Sequence, residues 1–599
     1  MLERLTLRVP RRFRAAAFAT TSLFALLLAG SSGFAQAPRS APAKSCPGDN
    51  GGLSLPSGFC ATVFADNVGH VRHMAVAPNG VLYVNTWSGR FYHFDKPPTG
   101  GFLVALKDSK RAGHADVIKR FGAGVPEGST GGTGIAYYNG AIYAEQNDKI
   151  IRYVLSTNAD SIAPSDEPQT VVSGLPLTGS HNMHPLIIDA QGQIFVDIGS
   201  ATNSCQIKDR VPGSLGHNPC TELETRAGTW RYDANKTGQH FSAAGRYVTG
   251  LRNGEGFGID SAGRIFATQH GRDQLNQNFS KLYTAKQSAE LPAEELVQLR
   301  RGADYGWPEC YYDEFQKKLV LAPEYGGDGG KKVAICAEKT APVAAFPGHW
   351  APNDLLIYTG KEFPAGYRDG ALIAFHGSWN RAPEPQGGYN VVFQPLKDGK
   401  AAGDYVVFAD GFAGPIKEPG QAAFRPTGLA MAPDGSIYIS DDKHGRIWHV
   451  TYHGDADVAV AAAPVPKMYT TASVEPPHLT AAQMNPATLP VPPGATRDQV
   501  VLGDQIFHGK AAGGTCSGCH GSNAAGGPQA PSLVSGHFFV SDGSLPAITA
   551  TINAGVPKPH DYEVPMPPKG GAPLTKDDVA AVAAYVWAIS HVAAKDVAK

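Results

Sequence analysis

The sequence predicts a mostly β chain, a six-bladed β-propeller followed by a small all-α domain, and three observations carry that prediction. One hairpin phrase recurs through residues 46–455, the chain holds 70 Gly and 46 Pro without a collagen-like period, and the patterning turns helical beyond residue 496.

The phrase is an apolar strand, a turn containing Gly, and a second strand rich in β-branched and aromatic residues. Its clearest copies run Met74 to Val84, Leu186 to Val196, Phe257 to Ala267 and Leu429 to Ile439, with weaker ones at Gly134 to Tyr143 and Gly370 to Phe375. Uneven spacing is expected when each repeat is one blade with variable loops. A sandwich also repeats hairpins, but seldom with one recurring phrase. At 599 residues the chain has room for two or three domains, each with its own core. A net charge of −1 offers no field for gripping nucleic acid, so no nucleic-acid partner is expected.

Ahead of the propeller stand Arg4, Arg8, Arg11, Arg12 and Arg14, an apolar run from Ala15 to Ala29, and Ala35-Gln36-Ala37. This is the pattern of a secretory signal peptide over residues 1–37, which makes the protein periplasmic; the Arg11-Arg12 pair leaves Sec and twin-arginine export both open. The apolar run falls short of the roughly 20 residues a membrane span needs, and no later stretch is apolar enough. Six of the eight cysteines, Cys46, Cys60, Cys205, Cys220, Cys310 and Cys336, fall as three sequence-local couples with no C-x-x-C among them. In an oxidising compartment these read as disulfides and not as zinc ligands, although the spacing leaves the pairing open.

Residues 456–495, rich in Ala and Pro, read as a linker, and residues 496–593 as the helical domain. There Thr575 is placed to cap a helix with Asp578 three residues on, Leu574 to staple onto Val579, and Val579, Val582, Ala583, Val586 and Trp587 to form one face. Cys516-Ser-Gly-Cys519-His520 is the attachment motif for covalent haem c: two thiols add to the porphyrin vinyl groups while the adjacent imidazole of His520 reaches the iron. Met566, the one Met after the motif, is the candidate sixth ligand. From Thr496 onward, with Gly503 and Phe507 ahead of Cys516 and Tyr585-Val-Trp587 at the end, the segment resembles class I cytochrome c. That resemblance implies that the first and last helices cross at Gly503 against Tyr585 or Trp587.

In the propeller, Gly179-Ser-His181-Asn, Gly250-Leu-Arg252-Asn253, Thr268-Gln-His270-Gly271-Arg272-Asp273, Ala303-Asp-Tyr-Gly-Trp-Pro308 and Phe424-Arg425-Pro-Thr-Gly resemble the soluble quinoprotein aldose dehydrogenases, and nearest among them the sorbosone dehydrogenase branch, over most of residues 50–452. The resemblance implies pyrroloquinoline quinone (PQQ) and Ca²⁺ on the propeller axis. It makes His181 the catalytic base, puts Arg252 and Asn253 on the quinone side and Arg425 at the carboxylates, and gives Ca²⁺ the carbonyls of Gly271 and Arg272. His270 stands where the family has Gln, and Phe375-His-Gly-Ser-Trp379-Asn-Arg381 stands where it has a Lys loop, which brings Trp379 and Arg381 to the cofactor. A flat tricarboxylate does call for guanidinium forks, a hard cation and a base beside the reactive carbonyl. Where the family places an Asp to orient the base this chain has Ser200, which leaves that task to Asp197 or a water.

The function so implied is a periplasmic PQQ-dependent sugar or sugar-aldehyde dehydrogenase that passes electrons to its own haem c and on to a downstream cytochrome or membrane acceptor. A Ca²⁺-dependent propeller lactonase fused to a cytochrome would need a carboxylate-lined metal site, which the propeller phrases lack. A non-catalytic binding propeller would not need His181 and the three arginines Arg252, Arg381 and Arg425 to converge on one axis.

Overall fold

The computed structural model describes residues 46, 48–86, 99–124, 132–158, 161–165, 167–382, 384–455, 458–464, 484–527, 529–559, 562 and 564–592. The expected signal segment, residues 1–37, lies outside them. Among the described residues no helix is long and apolar enough to cross a membrane.

Six sheets, antiparallel apart from one short parallel edge strand at Gln239–His240, form the blades of a propeller, as the hairpin phrases led one to expect. In each clear copy the phrase is the first hairpin of a blade: Met74 pairs with Val84, Leu186 with Val196, Phe257 with Ala267 and Leu429 with Ile439. The turns explain the recurring Gly. Gly80, Gly192, Gly263 and Gly435 all have φ between +76° and +99°, where a Cβ is strained. The preceding Asn or Asp locks each turn, as where Asp260 Oδ1 accepts from the Ala262 and Arg264 amides.

The first strands of the six blades touch one another in a closed ring around the axis. Closure is made by the chain ends: Phe59–Ala65 pairs with Ile447–Tyr452, so the last blade takes its outer strand from the start of the propeller. Beneath that seam Phe59 sits edge-on to Phe363 and Phe408, with ring centroids 4.8 and 4.9 Å apart. Such pairs contribute about 0.5–1.5 kcal/mol each beyond the area they bury. The disulfides join the local couples, Cys46–Cys60, Cys205–Cys220 and Cys310–Cys336.

The ends of the expected linker pack onto the two domains. Val460 lies against the propeller core and the Ala463 amide donates to Val407, while Leu489 is buried in the helical domain, where Arg497 Nη1 donates to its carbonyl. That domain is built on helices Arg497–Phe507, Cys516–His520, Leu545–Ala554 and Lys576–Ser590, the last opened by the Thr575–Asp578 capping box. The first and last helices cross at Gly503, where a Cβ would stand 2.7 Å from the Cβ of Tyr585. Tyr585 is thus the crossing partner, and Trp587 instead stacks on His591.

The helical domain is seated on one end of the propeller. Gln421 Nε2 donates to Ser522 Oγ at 3.0 Å, and Glu418 Oε2 accepts from the Ser522 amide at 3.0 Å. Two glycines permit the close approach: a Cβ on Gly518 would lie 2.8 Å from the Trp379 carbonyl oxygen, and one on Gly420 would collide with the Gly526 carbonyl.

Candidate functional site

Two cavities meet at this seam. The first lies inside the helical domain and is lined by Cys516, Cys519, His520, Leu533, Ile552 and Met566 with propeller residues Trp379 and Asn380. His520 Nδ1 lies 2.9 Å from the Pro531 carbonyl, which can only accept, so Nδ1 carries the hydrogen and Nε2 keeps its lone pair. Burial also lowers its pKa, which keeps the ring neutral, as an iron ligand must be. Met566 is held by reciprocal backbone hydrogen bonds with Val556. Apolar walls, two unbridged cysteines and His520 and Met566 lining the same cavity fit a covalent haem.

The second cavity lies on the propeller axis. His181, Arg252, Asn253, His270, Gly271, Trp379 and Arg425 all line it. Arg381 does not: its Nη1 donates to the Ala289 and Gly348 carbonyls and its Nη2 to Glu290 at 2.8 Å, so it braces a loop beside the cavity. Arg272 also points away, its guanidinium paired with Glu324. The Gly271 carbonyl accepts from Arg252 Nη1 at 2.9 Å, which leaves that oxygen one further lone pair for a cation. Among the described residues the one cluster of metal-binding side chains is Cys205, Cys220 and Glu222, whose cysteines form a disulfide.

Several wall residues were not picked out from the sequence. Arg72 bridges Glu255 and Asp442, each at 2.7 Å. Asp273 Oδ2 accepts from both Arg252 and Arg210 at 3.1 Å, while its Oδ1 accepts from Asn380 Nδ2 at 2.7 Å. Burial pushes the Asp273 carboxyl up, but the Arg252 and Arg210 guanidiniums outweigh it and hold it well below the usual carboxylate range. Asp442 is likewise held ionised against burial by His376, whose Nε2 lies 2.7 Å from its Oδ1, and by Arg72, and Glu255 is held ionised by Arg72. Burial pushes Glu294 up to about 8, so it stands neutral at pH 7. The cavity therefore presents the guanidiniums of Arg72, Arg210, Arg252 and Arg425 against three ionised carboxylates, an excess of positive charge that suits an acidic ligand. The donor set fits PQQ.

His181 sits in this wall with Nδ1 3.0 Å from both the carbonyl and the hydroxyl oxygen of Ser200. The carbonyl only accepts, so Nδ1–H donates and Nε2 is left basic. Ser200 thus does the orienting. Asp197, the alternative, is fully buried, and burial raises its pKa well above the usual carboxylate range. Burial, then the charge of Arg252, lowers the His181 pKa well below 6.5, so the ring is neutral at pH 7.

Five residues, Trp379, Asn380, Gln529, Val564 and Pro565, line both cavities.

Residues 53–453 match the TrAA12-like family model, and residues 500–590 match the Cytochrome c model. A pyrroloquinoline quinone-dependent pyranose dehydrogenase of Coprinopsis cinerea is 28% identical over 237 residues, 33% of this chain and 30% of that protein. An uncharacterized protein of Borreliella burgdorferi is 27% identical over 206 residues, 34% of this chain and 48% of its own length. The chain thus spans less than half the length of these curated relatives. In structure, the PQQ domain of the Coprinopsis cinerea pyranose dehydrogenase in its holo form superposes with a TM-score of 0.52 at 19% identity, covering 68% of this chain and 99% of that one. The calcium structure of the Trichoderma reesei family AA12 enzyme gives 0.52 at 18%, covering 67% and 97%. At that identity the likeness carries the fold alone.

Proposed function

The chain belongs to the TrAA12-like family, and from that premise we propose that it is a periplasmic PQQ-dependent dehydrogenase of sugars or sugar aldehydes that delivers electrons to its own haem c. The observation that carries this reading is the seam: one set of five residues lines both the axial cavity and the haem cavity. The relatives named for pyranose oxidation support the substrate class, and three disulfides suit an oxidising compartment.

Bound on the axis, PQQ would supply a two-electron acceptor. Arg425 would hold its carboxylates, and Arg252 and Asn253, with Arg210 beside Arg252 on Asp273, would face its quinone side. His181 Nε2 takes the proton of the substrate hydroxyl, and the Ser200 carbonyl stabilises the ring that becomes charged. Apolar Val564 and Pro565 help exclude water from the chamber. Trp379 and Asn380, which line both cavities, would lie between the two cofactors, and the haem held by Cys516, Cys519, His520 and Met566 would supply a one-electron acceptor that a second cytochrome or a membrane acceptor could drain. No step is assigned to calcium.

The carboxylates near the axis do not favour a metal-dependent lactonase, because Asp273, Glu255 and Asp442 are each committed to guanidiniums. The test is dye-linked oxidation by the PQQ-loaded protein over a panel of sugars, sugar aldehydes and lactones. Sugar-dependent dye reduction that requires PQQ is the expected result. Lactone consumption without dye reduction would replace this reading with hydrolysis, and no reaction with any of them would leave a binding propeller.

A further inference from the structure

The seam holds two buried amide oxygens without a hydrogen-bond partner, Asn380 Oδ1 from the propeller and Gln529 Oε1 from the haem domain. Both residues line both cavities. Gln529 is 8% exposed, and leaving a buried amide oxygen unpaired is costly, so its retention in this wall asks for a donor. Asn380 is aimed by its own amide nitrogen, which donates to Asp273 Oδ1 at 2.7 Å and fixes the orientation of its oxygen. The two acceptors stand at the end of the chamber that the haem domain closes, with Val564 and Pro565 beside them.

We propose that the substrate site is composite: Gln529 of the haem domain and Asn380 of the propeller accept hydrogen bonds from sugar hydroxyls across the seam. This rests on the sugar-dehydrogenase reading above. Hydroxyl donors match amide acceptors. The haem domain is then part of substrate recognition as well as the electron relay. Its seating must be close for this to work, and Gly420 is the point where closeness is set, because any side chain there collides with the Gly526 carbonyl. Gly420 does not have a positive φ, so a substituted side chain meets the neighbouring domain and not its own backbone.

The experiment uses the full-length, PQQ-loaded protein with glucose and cellobiose as probes, read two ways. Dye-linked kinetics give KM and kcat, and calorimetric titration in the His181→Ala background gives sugar affinity without turnover. Gln529→Leu is expected to raise KM and weaken the titrated affinity about tenfold, the effect of one lost hydrogen bond to a hydroxyl, with kcat within about twofold. Gln529→Asn should recover part of it. Gly420→Val, which touches neither cavity, should reproduce the loss of affinity, while haem absorption and PQQ binding stay as in the parent. Unchanged sugar affinity in Gln529→Leu and Gly420→Val, with the parent active, would overturn the composite site and leave the dehydrogenase reading intact. Weakened PQQ binding at unchanged sugar affinity would assign the amide to the cofactor and also overturn it. A parent that neither binds nor oxidises either sugar would remove the dehydrogenase reading and the composite site together.

Discussion

His181 Nδ1 stands 3.0 Å from the Ser200 carbonyl oxygen, so a backbone group, immune to side-chain substitution, fixes the tautomer of the base. Ser200→Ala should therefore keep kcat within a few-fold, because the carbonyl remains. His181→Ala should bind PQQ and lose turnover by about 10² to 10⁴. Near-normal turnover in the latter variant would remove the base from the mechanism.

The same ring sets the acid limb of activity. Burial and the Arg252 charge place its pKa well below 6.5, so protonation, which disables the base, begins only below that pH. A kcat/KM profile should stay flat from neutral pH down past 6.5 and then fall. An acid limb above 6.5 would contradict this environment for His181.

Met566→Ala should leave haem bound through Cys516 and Cys519, lower its reduction potential and open the sixth position to added imidazole. Visible spectra and a redox titration check this, and an unchanged potential would eliminate Met566 as a ligand.

Asp273 joins Arg252, Arg210 and Asn380 in one buried cluster. Removing it leaves two buried guanidiniums short of a partner, and Asp273→Ala should cost about 3–5 kcal/mol in urea unfolding of the propeller followed by tryptophan fluorescence. A loss under about 1 kcal/mol would mean that the pairing behaves like an exposed one.

Glu295, buried under the axial wall, has its pKa pushed up to about 8. Its neutral form belongs to the fold, so the stability it carries is full below the unfolded value near 4.5 and is lost as pH rises through about 8. Glu295→Gln should flatten the decline of the unfolding midpoint over that window. A parallel decline in parent and variant would show that Glu295 is not the titrating group.

Much of this was legible in the chain because it is sequence-local. The attachment motif packs both thiols and the imidazole into five residues, and four blades announce themselves in a hairpin phrase whose Gly has a positive φ. What the sequence hid is what tertiary convergence makes. Arg72 and Asp442 pair across 370 residues and Arg252 meets Asp273 in a loop, so their phrases carry no mark of a shared site. Arg381 shows the reverse error: its phrase reaches the axis at Trp379, but two residues later the side chain turns into a loop and finds carbonyls there. Alternation and motif spacing contain no radial coordinate. The seating of the haem domain was equally silent, since Gly420, Gln421 and Ser522 look like ordinary loop residues until the partner surface is present.

The central claim is that sugar oxidised on the propeller axis reduces the haem of the same molecule, and anaerobic stopped-flow mixing of the PQQ-loaded ferric protein with an oxidisable sugar tests it most directly. The expected result is haem reduction at a rate independent of protein concentration and absent without PQQ. Haem that stays ferric while an added dye is reduced, or a rate that rises in proportion to protein concentration, would contradict it.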